Sequence, residues 1–328
     1  VKAGEKLDIF VSTKPVAKFT IDIFRMGYYD GAGSRLMTTL GPFEGKEQPV
    51  PEMADKRLRE CQWEASTTLT IPADWTSGVY LGRLSTVPEA DDKPYWQSYV
   101  IFIVKDDRPA DILFQCSDNT WQAYNRWPVN ESLYTDPRAA HAPGVSGSFD
   151  RPYGKYVQIF DNPQSMGSGE FLLWEYPLCY WLEKEGYDVA YCSNTDVDAS
   201  IEAVTRAKAF LSVGHDEYWS LDQFQHLQAA VDAGVNIAFL SGNTSCFVAP
   251  MFPNSKGAPH RALTRAGRYG GLMEVEKEKM GPFPIDGPNE ATLIGARTIS
   301  PYNGSGDWIV ADPDCWIFEG TAMKKGDA

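Results

Sequence analysis

Hydrophobic and polar positions change rhythm once along the 328-residue chain. Up to residue 106, short runs rich in β-branched and aromatic side chains, at 7–13, 18–24, 67–71, 79–84 and 97–104, stand between Gly, Pro and Asp. That pattern predicts strands, and no helical period interrupts them. Trp75-Thr-Ser-Gly-Val-Tyr80 reads as a turn feeding a strand, as in antiparallel sandwiches. Residues 42–55, with three prolines and three glutamates, carry no strand pattern and read as an exposed loop.

Past the charged turn Asp106-Asp-Arg-Pro109 the rhythm becomes that of alternating strands and helices. Apolar runs at 110–115, 187–193, 207–214 and 235–243 predict buried strands, and 170–185, 199–206 and 220–233 predict helices. Pro177 falls inside the 170–185 helix and should kink it by removing a hydrogen bond. Residues 117–134 read as a long loop crowded with Trp121, Tyr124, Trp127 and Tyr134, and loops of that length tend to be functional. Residues 135–169 read as irregular. After Asn243 the pattern thins into Gly and Pro clusters around Arg261, Arg265 and Arg268, with 291–295 and 308–310 expected as late strands. The expectation is an all-β sandwich-like domain over 1–106, followed by an α/β domain over 107–328 with a parallel sheet flanked by helices.

Candidate chemistry gathers at the tips of two consecutive strands. The run ending at Gly214 is followed by His215, Asp216 and Glu217, and an extended backbone puts His215 and Glu217 on one face with Asp216 on the other. Ser220 begins a Ser-x-x-Gln capping box with Gln223, Gly234 stops the helix, and the next strand ends at Asn243. A right-handed β-α-β crossover brings both tips to the same sheet edge, where open α/β sheets bind ligands. Bland alternatives exist for each residue: His215 as a hydrogen-bonded structural histidine, Glu217 as a helix-terminal charge, Asn243 as a turn residue and the aromatic loop as core or lid.

Composition narrows the partners. A net charge of −14 argues against a nucleic-acid surface or an anionic membrane and leaves a small molecule easier to accommodate. No apolar run approaches the roughly 18 residues of a membrane span, no signal peptide precedes Val1, and the pattern of cysteine usage leads to the expectation of a cytoplasmic location. The six cysteines are scattered without metal spacing and are expected to be reduced and mostly buried. There is no HExxH, zinc spacing, GxSxG elbow, Walker loop or GxGxxG.

Several blocks then point to a family. Gly27-Tyr-Tyr-Asp-Gly-Ala-Gly-Ser-Arg35, Thr120-Trp-Gln-Ala-Tyr-Asn125, Ser148-Phe-Asp-Arg-Pro-Tyr153, Trp174-Glu-Tyr-Pro177, Ser212-Val-Gly-His-Asp-Glu-Tyr-Trp-Ser220 and Ser241-Gly-Asn243 resemble the large subunit of N,N-dimethylformamidase and its relatives. Asp314-Cys-Trp-Ile-Phe-Glu-Gly-Thr321 resembles a late segment that continues in the family, so a longer natural protein is expected. The resemblance implies an amide hydrolase that splits dimethylformamide into formate and dimethylamine, with a mononuclear non-haem ferric ion held by two tyrosines and a glutamate. It implies Glu217 as the carboxylate ligand, with His215 and Asn243 as catalytic groups around it. Tyr95 is the choice for one tyrosine with Tyr99 as rival, and Tyr134 for the other with Tyr124 as rival. The resemblance leaves room for a small partner subunit and a homo-oligomer. The competing reading is a non-catalytic ligand-binding or polymer-binding protein whose α/β domain is glutamine-amidotransferase-like; no nucleophilic cysteine followed by glycine supports activity of that kind.

Overall fold

Alternation along residues 19–26 is almost complete: Phe19, Ile21 and Ile23 are buried while Thr20, Asp22 and Phe24 are half-buried. Such a segment must lie in a sheet. In the computed structural model, which describes residues 1–88, 95–137, 143–154, 166–272, 277–278, 282–298 and 307–328, it does. The N-terminal strands are β1 (Lys6–Ile9), β2 (Phe19–Met26), β3 (Ser34–Phe43), β4 (Thr67–Thr70), β5 (Gly78–Thr86) and β6 (Gln97–Val104). β1 pairs with β4, and an antiparallel sheet runs β3-β2-β5-β6. The two sheets share a core of Ile9, Phe19, Ile21, Ile23, Leu69 and Tyr80. β3 escaped the sequence reading because it is an edge strand whose residues are all exposed or half-buried, so it carries no apolar alternation.

The second half is built on a wholly parallel sheet. β7 (Ala110–Cys116) is followed by α1 (Asp118–Tyr124), β8 (Ser146–Ser148), α2 (Tyr176–Lys184), β9 (Val189–Ser193), α3 (Asn194–Ala199), α4 (Glu202–Thr205) and β10 (Ala207–His215). Then come β11 (Tyr218–Trp219), α5 (Leu221–Asp232) and β12 (Asn236–Gly242). The order β12-β10-β7-β9 places β10 inside the sheet. Its neighbouring residues face opposite ways: Phe210 joins a core with Phe224, Leu227 and Trp219, while Leu211 and Val213 join Phe114, Trp121 and Tyr191. The latter core also takes Met26, Val79 and Leu81 from the antiparallel sheet, so that sheet is covered on both faces. Arg25 of β2 ties the layers by donating to both carboxylate oxygens of Glu183 on α2, at 3.2 and 2.8 Å.

Four expectations are corrected. The 117–134 segment opens with α1, whose residues 119–123 are all buried and therefore show no amphipathic period. The 170–185 segment is a π-turn, Phe171–Glu175, leading into α2. Pro177 sits in the first turn of α2, where its missing N–H has no intrahelical bond to lose, so the kink expected from it is replaced by the π-turn. Residues Ala291–Ile294 form a short helix, and residues 308–310 form no strand. The late strands are β13 (Phe247–Val248), β14 (Met251–Phe252), β15 (Ala262–Thr264), β16 (Gly267–Tyr269) and β17 (Ile285–Gly287), too short for apolar periodicity to reveal.

Residues 1–297 form one compact unit and residues 298–328 a second. Within the second, Val310 exchanges backbone hydrogen bonds with Gly326 and Asp327, and Trp308 stacks on Phe318. No disulfide joins the six cysteines among the described residues, and Cys116, Cys179, Cys192 and Cys246 are buried. Among the described residues no helix is long and apolar enough to cross a membrane.

Candidate functional site

β10 and β12 run parallel with His215 opposite Gly242, so their carboxyl tips emerge side by side. Gly214 makes the exit possible. Its φ of +84° is in the left-handed region, and a Cβ there would come within 2.9 Å of the Glu175 and Trp174 side chains of the π-turn. Beyond it the backbone is strapped on both sides. Asp216 N donates to Gly242 O, Ser245 N to Asp216 O, and Phe247 N to Glu217 O. Thr120 Oγ1 on α1 accepts from Glu217 N at 2.9 Å and Tyr218 N at 3.3 Å, and Asn119 Nδ2 donates to Tyr218 O.

This extended run separates the side chains as their alternation requires. Asp216 turns into the sheet, where Gln115 and Ser212 donate to one carboxylate oxygen and Asn194 to the other. Burial pushes its carboxyl up, against those hydrogen bonds. Gln223 does not close the expected capping box: its backbone N–H donates to Ser220 Oγ, but its amide donates to Gln115 in the same buried network.

His215 and Glu217 face the other way and meet. His215 Nε2 is 3.5 Å from Glu217 Oε2 and 3.4 Å from Asn243 Nδ2. His215 and Glu217 are buried, whereas Asn243 is exposed and held at a φ of +50°. Glu170 Oε2, also buried, lies 4.0 Å from His215 Nδ1. The imidazole therefore has a carboxylate near each nitrogen.

Two phenols converge on the same carboxylate oxygen. Tyr124 donates to Glu217 Oε2 at 2.9 Å and Tyr134 at 2.7 Å, with their rings stacked at 4.4 Å. Burial foremost, then the Glu217 charge, pushes both phenols far above their ordinary range, so each holds its proton. Tyr218 donates to the Tyr134 oxygen at 2.7 Å, and Arg265 Nη1 donates to Tyr218 at 3.1 Å.

The tyrosines thus sort differently from the sequence choice. Tyr134 and its rival Tyr124 reach Glu217, and both come from the segment that opens as α1. Tyr95 is 60% exposed just before β6, and the Tyr99 ring packs against the core around Phe114 and Trp121. Neither is among the donors to Glu217: Tyr95, before β6, faces solvent, and Tyr99, on β6, faces that core. Sequence reasoning also missed Thr120, Tyr218, Arg265 and Glu170. Thr120 and Tyr218 lay inside noticed blocks, but nothing local marks a hydroxyl as a strap or a donor.

Among the described residues no three His, Cys, Asp or Glu side chains group as a metal cluster. The donor set here is of another kind, one carboxylate and two phenols. Three hard oxygens that can each become anionic suit a small, highly charged cation better than zinc, which favours nitrogen and sulfur. The buried Glu217 charge is met by O–H donors, and a cation could replace their two protons.

A family model described as N,N-dimethylformamidase beta subunit-like, C-terminal, matches residues 20–328. A search among curated proteins gave no match.

Proposed function

Since the chain belongs to the N,N-dimethylformamidase beta subunit-like family, we propose that it hydrolyses the C–N bond of a small amide at the cluster around Glu217. The observation that carries this reading is the convergence of Tyr124 and Tyr134 on Glu217 Oε2. Glu217, Tyr124 and Tyr134 are the residues to hold a mononuclear ferric ion, which when bound supplies Lewis acidity for an amide carbonyl or a water. His215 acts as the general base: its Nε2 takes a proton from the attacking water and returns it to the departing amine. This role requires the tautomer whose Nδ1–H faces Glu170, leaving Nε2 to accept. Asn243 donates its amide N–H to the carbonyl oxygen as negative charge develops there. The buried rings of the cluster keep bulk water away and strengthen these interactions.

The family description names a beta subunit, which supports assembly with a second kind of subunit. The test is a panel of small amides, N,N-dimethylformamide among them, offered to the iron-reconstituted protein and to His215→Ala. Wild type is expected to release amine from small members of the panel. His215→Ala is expected to keep its iron and lose about 10²- to 10⁴-fold in rate, the usual worth of a general base. An iron-loaded wild type inert on every amide, or a fully active His215→Ala, would contradict the reading.

A further inference from the structure

Behind the two phenols runs a line of hydrogen bonds that the proposed reaction does not use. Arg265 Nη1 donates to the Tyr218 hydroxyl at 3.1 Å, Tyr218 to the Tyr134 hydroxyl at 2.7 Å, and Tyr134 to Glu217 Oε2 at 2.7 Å. The direction of every step follows from the end groups. A guanidinium can only donate and an ionised carboxylate can only accept, so both phenols between them must pass their protons toward Glu217.

The outer members are fixed firmly. Tyr218 and Arg265 are fully buried. Tyr218 stacks on Phe247 at 5.3 Å, and its backbone is held by Thr120 and Asn119 of α1. Arg265 Nη2 donates to the carbonyl of Leu133, the residue before Tyr134, at 2.9 Å. Its guanidinium carbon also lies 5.1 Å from the centre of the Tyr134 ring. Arg265 therefore grips Tyr134 at three places: at the preceding carbonyl, across the ring face and, through Tyr218, at the oxygen. A buried cation held this way fixes both the position of a side chain and the hydrogen bond it receives.

We propose that Arg265 and Tyr218 are positioning residues for Tyr134 as a metal ligand, keeping a hydrogen bond on its oxygen when a cation takes the place of its proton. The proposal rests on the metal reading given above. A donor on the ligand oxygen withdraws electron density from it, so the pair sets how strongly Tyr134 donates as well as where it points.

The test is the visible spectrum of ferric-iron-loaded wild type, Tyr218→Phe and Arg265→Lys, with iron content measured on the same samples. Tyr218→Phe removes one oxygen and keeps the ring. It is expected to retain iron and to move the phenolate-to-iron charge-transfer band to longer wavelength by on the order of 10 nm, the size expected for one lost charge-assisted hydrogen bond. Arg265→Lys keeps the charge and is expected to move the band less, in the same direction. Nuclear magnetic resonance of isotope-labelled tyrosine in metal-free protein reads the bond independently, and the Tyr134 signal is expected to shift in Tyr218→Phe. A folded Tyr218→Phe that no longer takes up iron supports the same role in a stronger form. An unmoved band and an unmoved Tyr134 signal in folded, iron-loaded Tyr218→Phe would overturn the pair's role and leave the metal site standing. A wild type that takes up no iron overturns the metal reading and the pair's role toward a metal together.

Discussion

Asp118 and Glu217 are carboxyl groups at the same edge of the parallel sheet, yet their surroundings treat them differently. The Glu217 carboxylate accepts two phenolic O–H groups, while its backbone N–H donates to Thr120 Oγ1. Asp118 accepts the backbone N–H of Asn194 and has Asp196 and Asp216 for neighbours. Burial first, then those like charges, pushes its carboxyl up to about 7 from the ordinary 3.8. Because the folded-state value is raised, the stability linked to Asp118 is fully present below the unfolded value and is lost as pH rises toward 7. Asp118→Asn keeps an acceptor and removes the titration. Its melting temperature relative to wild type is therefore expected to rise between pH 4 and pH 8. The stability gain is on the order of a few kcal/mol. Thermal denaturation across that range checks it, and a pH-independent difference would contradict it. At this scale the sequence was legible where chemistry clusters along one strand, as at His215 and Glu217. Tyr134 was legible too, but that Tyr124 reaches Glu217 beside it, rather than standing as its rival, depends on how α1 and the following segment fold over the strand tip.

Among the elements, β10 and the π-turn Phe171–Glu175 meet closely beside the site. Gly214 permits it twice over, through its left-handed backbone and through the absent Cβ. Gly214→Ala is expected to destabilise by about 2–4 kcal/mol, combining roughly 1–2 kcal/mol for the left-handed conformation with overpacking against Trp174 and Glu175. The shift of the urea midpoint measures this, and an unchanged midpoint would show that the junction relaxes freely. Strands and helices with one buried face announced themselves through period, as β2 and α5 did, and β10, buried on both faces, through its continuous apolar run. α1 and β3 did not, for opposite reasons: the first is buried almost all round and the second almost nowhere. Pro177 marked a real break, but the π-turn absorbs it before α2 begins.

Across residues 1–297, three layers meet on two cores, and the antiparallel sheet lies between the N-terminal pair β1-β4 and the parallel sheet with its helices. Arg25 and Glu183, both largely buried, pin the middle layer to α2, and losing either partner would strand a buried charge. The change of rhythm near residue 106 foreshadowed the switch from antiparallel to parallel pairing. How the two kinds of sheet pack was beyond its reach, because Val79, Leu81 and Val213, which share one core, come from segments far apart in the chain. The scaffold's consequence is that Glu217 at a strand tip meets Tyr124 of α1 and Tyr134 of the segment after it, at the place where the proposed function puts a metal. Metal analysis of the purified protein, wild type beside Glu217→Ala and with amide hydrolysis assayed on the same samples, tests that claim most directly. Wild type should carry iron in equimolar amount with a visible absorption band, and Glu217→Ala should lose iron, colour and activity together. Undiminished amide hydrolysis after exhaustive iron removal, or full iron content in Glu217→Ala, would contradict it.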